Sequence, residues 1–273
     1  MKVKRRIVFI MAAALAIVIA AAMVVCAADY EFVETDVSTP GDGCVMLGVY
    51  GSYHSDAQAA LNRINEIRHE ACYDGNTPDP RNPSRMLSAS DYVPMKWSTS
   101  LEKIARIRAV EGGIARGHVR HNGKSIYSIS YGGISSSGEN LAYNYSTSME
   151  YSVDRWYSER EDWVEQNQGE NIVTGHYTSL INPSFTYIGL GLFESDAGPW
   201  PCNCAGEFSS REGSLGTGFL DAPENVMQKI EVKEAFIDEY YINQRADLNL
   251  GKHQKLEFRV KDTVAGGKSS SKL

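Results

Sequence analysis

The sequence predicts an α+β domain. Three stretches, 56–71, 98–112 and 148–166, space their apolar residues as one-sided helices do. Between 170 and 220, short apolar runs alternate with Gly and Pro, and beyond 224 apolar residues alternate with charged ones, as strands do. There is no internal repeat.

The first 28 residues are expected to serve export. Lys2, Lys4, Arg5 and Arg6 precede an uncharged apolar run from Ile7 to Val25, and small residues follow at Cys26, Ala27 and Ala28. That order is a secretory signal peptide. The run also reaches the length of a membrane-spanning helix, so an uncleaved N-terminal anchor is the alternative. Either way the remainder is expected to be secreted or displayed at the cell surface, with the membrane reached only through this segment. Without residues 1–28 the chain carries 23 bases against 34 acids, a net of −11. That balance argues against a nucleic-acid partner.

Residues 29–55 form an acidic, then glycine-rich lead-in, with a strand expected at Val45–Tyr50. Asp56 is placed to cap the first helix, whose apolar face is Leu61, Ile64, Ile67 and Ala71. Four prolines between 78 and 94 predict a surface loop. Ser98 or Ser100 caps the second helix, and Gly112-Gly113 is expected to end it. Residues 113–147, rich in Gly, Ser, Tyr and Asn, read as mostly loop with one short helical turn. Thr186–Phe193 is the best strand, with 211–220 as its expected partner. Strands are also expected at 229–233 and 256–261, forming a β-rich extension over 221–264 that resembles the opening strands of an immunoglobulin-like module, either an incomplete module or a hairpin packed on the main domain. Residues 265–273 read as a disordered Gly/Ser/Lys tail. The final Ser271-Lys272-Leu273 matches a peroxisomal address by chance composition.

Four cysteines remain after residue 28: Cys44, Cys72, Cys202 and Cys204. An exported chain favours disulfides. Cys202 and Cys204 do not pair across one residue, so bridges from them to Cys44 and Cys72 are expected. Asn144-Tyr145-Ser146 is a glycosylation sequon.

The chemistry lies in scattered His and Glu residues. Met149, Val153, Trp156 and Trp163 make one stripe of the third helical pattern, and Glu159 falls on it. A carboxylate on an apolar face needs a partner or water. His118, His121 and His176 are each, taken alone, as readily packed or surface residues as ligands. Glu139 in Gly138-Glu139-Asn140-Leu141 reads as a loop or helix-start acid. Two His and two Glu can share a divalent cation such as zinc, or share protons among themselves. Spacing alone does not bring them together.

Several motifs do. Leu61–Arg68, Trp97 with Leu101, Ile104-Ala105 and Ala109, Gly138-Glu139-Asn140-Leu141-Ala142, Trp156-x-x-Glu159-x-x-x-Trp163, Gly175-His176-Tyr177-Thr178, Asn182-Pro183 and Ile188-Gly189-Leu190-Gly191 occur in order. The run 56–220 resembles the CAP superfamily, or SCP domain, in its bacterial-type branch. The resemblance implies a three-layer α-β-α sandwich with a small antiparallel sheet. It also implies a cleft lined by His118, Glu139, Glu159 and His176, with His121 as the alternative to His118, and flanked by Asn140 and Tyr177. These four would be the ligands if a divalent cation, zinc or similar, is held. The function implied is binding of a lipid or sterol-like molecule, a protein surface or a cation, without catalysis. The competing expectation is a metal-assisted extracellular hydrolase, peptidase-like, using the same residues. No G-x-S-x-G nucleophile elbow accompanies Ser179.

Overall fold

A computed structural model of the chain describes residues 31–167, 169 and 172–237. The export segment, the strand expected at 256–261 and the C-terminal tail lie outside the described residues. Among the described residues there are nine strands: β1 (Glu31–Val33), β2 (Cys44–His54), β3 (Pro78–Asp79), β4 (Asn82–Met86), β5 (Lys96–Trp97), β6 (Gly138–Asn144), β7 (Tyr187–Glu194), β8 (Cys202–Ser209) and β9 (Val226–Lys233). The α-helices are α1 (Ala57–Tyr73), α2 (Thr99–Ile114), α3 (Met149–Tyr157), α4 (Arg160–Val164) and α5 (Gly175–Ile181).

The main sheet runs β1-β9-β2-β7-β8-β6, with β5 added in parallel beside β7. Its two faces carry separate cores. On one side Ile64, Ile67 and Ala71 of α1, Val153 and Trp156 of α3, and Leu180 of α5 meet Ile188, Leu190 and Leu192 of β7. On the other, Leu101, Ile104, Ala105 and Val110 of α2 meet Leu47, Val49, Phe193 and Ile230. The result is the expected α-β-α sandwich. Each fully buried aliphatic side chain contributes roughly 1.5–3 kcal/mol.

Alternation along β7 explains its glycines. Its even-numbered residues 188–192 face α1, so Gly189 and Gly191 face α2. A Cβ on Gly189 would collide with the backbone of Leu101 and Glu102, and one on Gly191 with that of Ala105 and Arg106. The glycines let α2 lie directly on the sheet. The same logic corrects the expected end of α2. Gly112 and Gly113 do not cap it but lie inside it, with Gly113 against the Asn203 side chain.

Capping is partly as expected. Ser98 Oγ accepts from Leu101 N–H at 3.2 Å and starts α2. Asp56 gives α1 no side-chain cap. Its carboxylate instead accepts from Ser148 Oγ and Met149 N–H, both at 2.6 Å, and so tethers the start of α3. Long-range contacts outbid the local cap.

Three further expectations change. Residues 138–144 are not loop but β6, the sheet's edge strand, because pairing with β8 from Gly138↔Phe208 to Asn144↔Cys202 overrides turn-like composition. The partner of β7 is β8, not 211–220. The latter segment is irregular and wraps the start of α2, where Thr99 Oγ1 donates to Gly218 O at 2.5 Å and Leu220 N–H to Glu102 at 3.1 Å. Finally, 226–233 is no separate immunoglobulin-like module. As β9 it pairs with β2 from Cys44↔Lys233 to Gly51↔Val226, inside the main sheet.

Among the described residues the disulfides expected from the compartment are not formed: Cys44, Cys72, Cys202 and Cys204 are free thiols. Cys202 lies across β7 from Ser52, through Glu194. Cys44 begins β2, about 27 Å away along the strand. Cys204 and Cys72 share a core without bonding. The sequon is also closed: Asn144 is buried, and its Nδ2 donates to Ser152 Oγ at 3.1 Å.

Candidate functional site

The site straddles edge strand β6, with one His/Glu pair from each face of the sheet. Glu139 points to the α2 side and Asn140 to the α5 side, as strand alternation requires. His118, in the loop after α2, brings Nδ1 to 2.7 Å from Glu139 Oε1. His176, in the first turn of α5, brings Nδ1 to 2.5 Å from Glu159 Oε1. The two imidazole centroids lie 6.5 Å apart. The structure therefore gathers residues 118, 139, 159 and 176 into one place.

A break in the third helical pattern places Glu159. The pattern is expected to be continuous over 148–166 but divides into α3 and α4, with Glu159 at the start of α4. Arg160 ties that start to the end of α1 through Glu70 at 3.1 Å and Asp74 at 2.8 Å. Trp163 Nε1 donates to Pro78 O at 2.9 Å. So held, Glu159 Oε2 accepts from the His176 and Tyr177 backbone N–H groups at 2.9 and 3.2 Å. Its carboxylate caps α5 and orients the His176 ring together. This is the partner that an acid on an apolar stripe needs.

Glu139 is held more tightly. Arg108, fully buried in α2, donates Nε to Glu139 Oε2 at 2.5 Å and Nη2 to Oε1 at 3.2 Å. The same guanidinium bonds Glu111 and donates to the Val119 and Gly117 carbonyls at 2.9 and 3.2 Å. Burial alone would raise the Glu139 carboxyl, but hydrogen bonds from His118 and Arg108 outweigh it and hold the group down at about 2. Across the β6–β8 ladder stands Glu207, also buried. Burial, and then the charge of Glu139, push its carboxyl well above the usual carboxylate range. The two carboxyls are driven apart, Glu139 toward the carboxylate and Glu207 toward the carboxylic acid.

Sequence reasoning missed Arg108, Glu111, Arg120 and Glu207. Arg120 donates to Glu111 at 2.9 Å and pairs with Asp36 at 2.8 Å, both buried. The readable signal was the run of charges on the apolar face of α2, where Arg108 and Glu111 fall one turn apart. Glu207 gave none, since a lone acid on a strand reads as solvent-facing.

The flanking residues sit behind the site rather than along its wall. Asn140 is buried and its Nδ2 donates to the His176 carbonyl at 2.9 Å, fixing α5 to β6. Tyr177 is fully buried, its ring packed 6.0 Å from that of Tyr157. His121 is not an alternative to His118. Its Nε2 lies 2.8 Å from the Glu111 carbonyl and its ring stacks on Phe236 at 4.2 Å, burial lowering its pKa.

The arrangement also revises the four-ligand metal set. Among the described residues, no three or more His, Cys, Asp or Glu groups converge as a metal site would require. Both carboxylates are spent on Nδ1 of their histidines. An Nδ1–H donated to carboxylate leaves Nε2 as the basic atom, which is how metal-binding histidines are oriented. The histidines fit a cation as ligands through Nε2, with the glutamates as their supports. Two imidazoles sharing a tetrahedral zinc have centroids about 5 Å apart, so the rings would have to close from their present separation.

An α-β-α sandwich with paired His/Glu residues at one sheet edge defines the class. The sequence matches the family model described as CAP, cysteine-rich secretory protein family, over residues 61–204. That is more than half of the chain, and the protein belongs to this family. Among solved structures, Schistosoma mansoni venom allergen-like protein 4 is 17% identical and covers 59% of this chain and 94% of its own, with a TM-score of 0.40. BmVAL-1 is 16% identical and covers 63% and 84%, with a TM-score of 0.39. Superpositions that loose carry no argument about the site. Comparison with curated proteins gives no match. Among the described residues no helix is long and apolar enough to cross a membrane.

Proposed function

We propose that this CAP-domain protein acts outside the cytosol as a binding protein, with His118 and His176 as the contacts offered to its ligand. The basic, apolar and small-residue order of residues 1–28 supports export. The observation that carries the binding reading is how the carboxylates are used. Glu139 accepts from His118 and Arg108, and Glu159 accepts from His176 and two backbone N–H groups. Acids so engaged are supports, whereas a general base must be able to reach a substrate proton. Thr178 and Ser179, the aliphatic hydroxyls nearest in sequence after His176, both donate to the Gly175 carbonyl, at 3.1 and 2.9 Å. The histidine side chains remain accessible, at 50% for His118 and 25% for His176.

The ligand classes that suit two neighbouring imidazoles include a divalent cation bound through Nε2, or the polar end of a lipid-like molecule or protein. A bound cation would supply Lewis acidity, which is the chemistry of the hydrolase alternative. Here the chain's own residues would orient the two rings and keep Nδ1 protonated.

Thermal unfolding of the purified protein with and without zinc is the test. A stabilisation of about 3 kcal/mol is expected at a hundredfold excess over Kd, and its loss in His176→Ala. Zinc that leaves the wild type unchanged removes the cation from the ligand classes. Peptide hydrolysis that is lost in both Glu139→Gln and Glu159→Gln would overturn the binding reading in favour of catalysis.

A further inference from the structure

The two histidines hang on different supports. His176 is fixed by Glu159 and Asn140, all within the span that matches the family. His118 lies in the loop from 115 to 125, and part of that loop's support comes from β9, outside the span. Glu231, buried in β9, accepts through Oε2 from Asn122 Nδ2 and Lys124 Nζ, each at 2.7 Å. Its Oε1 accepts from Gly41 N–H at 2.8 Å. Lys233 N–H donates to the His121 carbonyl at 2.9 Å. The Phe236 ring stacks on His121, the planes 11° apart.

The other end of the loop is pinned at Gly117, whose N–H donates to Tyr143 Oη at 2.8 Å and whose carbonyl accepts from Arg108. His118 stands between these two anchors. Its ring is half exposed, and the hydrogen bond that orients it is the one to Glu139.

We propose that Glu231 is a positioning residue of the His/Glu site, through which β9 sets the register of the loop that presents His118. One buried carboxylate gathers two side chains of the loop and one backbone group of the lead-in. Charge-assisted bonds of this kind are the strong ones. The bonds from Glu231 and Lys233 fall on residues 121, 122 and 124, three to six places from His118. Loss of the Glu231 contacts therefore loosens residues 122–124 while Arg108 still holds the Gly117 and Val119 carbonyls and Lys233 N–H the His121 carbonyl. The inference rests on the paired histidines being the ligand site.

The test needs no ligand. Long-range proton–nitrogen spectra of the labelled protein read the tautomer of each ring. In the wild type both histidines are expected as Nδ1–H. Glu231→Gln is expected to lower the Nδ1–H to Nε2–H ratio of His118 about tenfold, leaving His176 unchanged. Asn122→Ala, which removes one bond from the loop side, is expected to act in the same direction. An unchanged His118 ratio in both variants overturns the proposal, as does an equal change at both histidines, which would mark general loosening. A failure of the wild type to bind ligand would sink the proposed function, while the spectra would still decide the role of Glu231.

Discussion

Arg108→Met is the most informative single change, because one guanidinium holds the His118 half of the site. The variant keeps the buried stem but removes the donors to Glu139, Glu111 and the Gly117 and Val119 carbonyls. Glu111 retains Arg120. Glu139 is left buried with the His118 hydrogen bond as its remaining hold. Breaking a buried pair from one side costs about 3–5 kcal/mol. The carboxyl gives a second route to the magnitude. Its pKa falls from 4.5 to about 2, and at 1.36 kcal/mol per unit that is about 3 kcal/mol, shared between the His118 and Arg108 interactions. Because the folded pKa is depressed, this stability is present above pH 4.5 and is lost as pH falls toward 2. Arg108→Met should therefore lose about 3–4 kcal/mol at pH 7, a fall in Tm of roughly 10 °C for a chain of this size. The deficit should shrink as pH drops from 5 toward 2. Urea unfolding followed by fluorescence of the buried Trp97 and Trp156 measures both. A deficit below about 1 kcal/mol at pH 7, or one that stays constant into acid, would refute the reasoning.

Other outcomes follow from the same structure. Glu207→Gln should stabilise the protein at pH 7, because the folded carboxyl is raised and its contribution, complete below pH 4.5, is lost as pH rises. The gain should vanish in urea titrations at pH 4. Gly191→Ala should cost about 3 kcal/mol by driving β7 against α2, whereas Gly175→Ala, with open space at its Cβ, should keep the fold intact. Thiol titration of residues 29–273 should find four reactive groups on unfolding without reductant. In the native protein Cys44 should react first, since burial raises Cys202 and Cys204 to about 11 and 12.

The helices were legible where one residue set faces one core. Ile64, Ile67 and Ala71 needed only a covering surface, and Ser98 only the adjacent backbone. Asp56 was misread because its oxygens reach the start of α3 instead of its own helix. Gly112 and Gly113 were misread because a glycine that ends a helix and one that admits a neighbour look alike in sequence. The cysteines were misread from compartment, which favours oxidation but says nothing of separation. Glu139 looked like a loop acid because its strand exists only through its pairing with β8.

The sequence by itself determined the α+β class and the family, since these rest on residue type and order; the resemblance implied the four His and Glu residues, with His121 left beside His118. It could not assign their roles. Only the tertiary structure decided that each glutamate is bound to its own histidine, that Arg108 and Glu207 stand behind Glu139, and that β9 reaches the His118 loop. The reason is physical. Those facts depend on distances between residues from about 17 to more than 100 positions apart, and burial sets their charge, neither of which is encoded in local pattern.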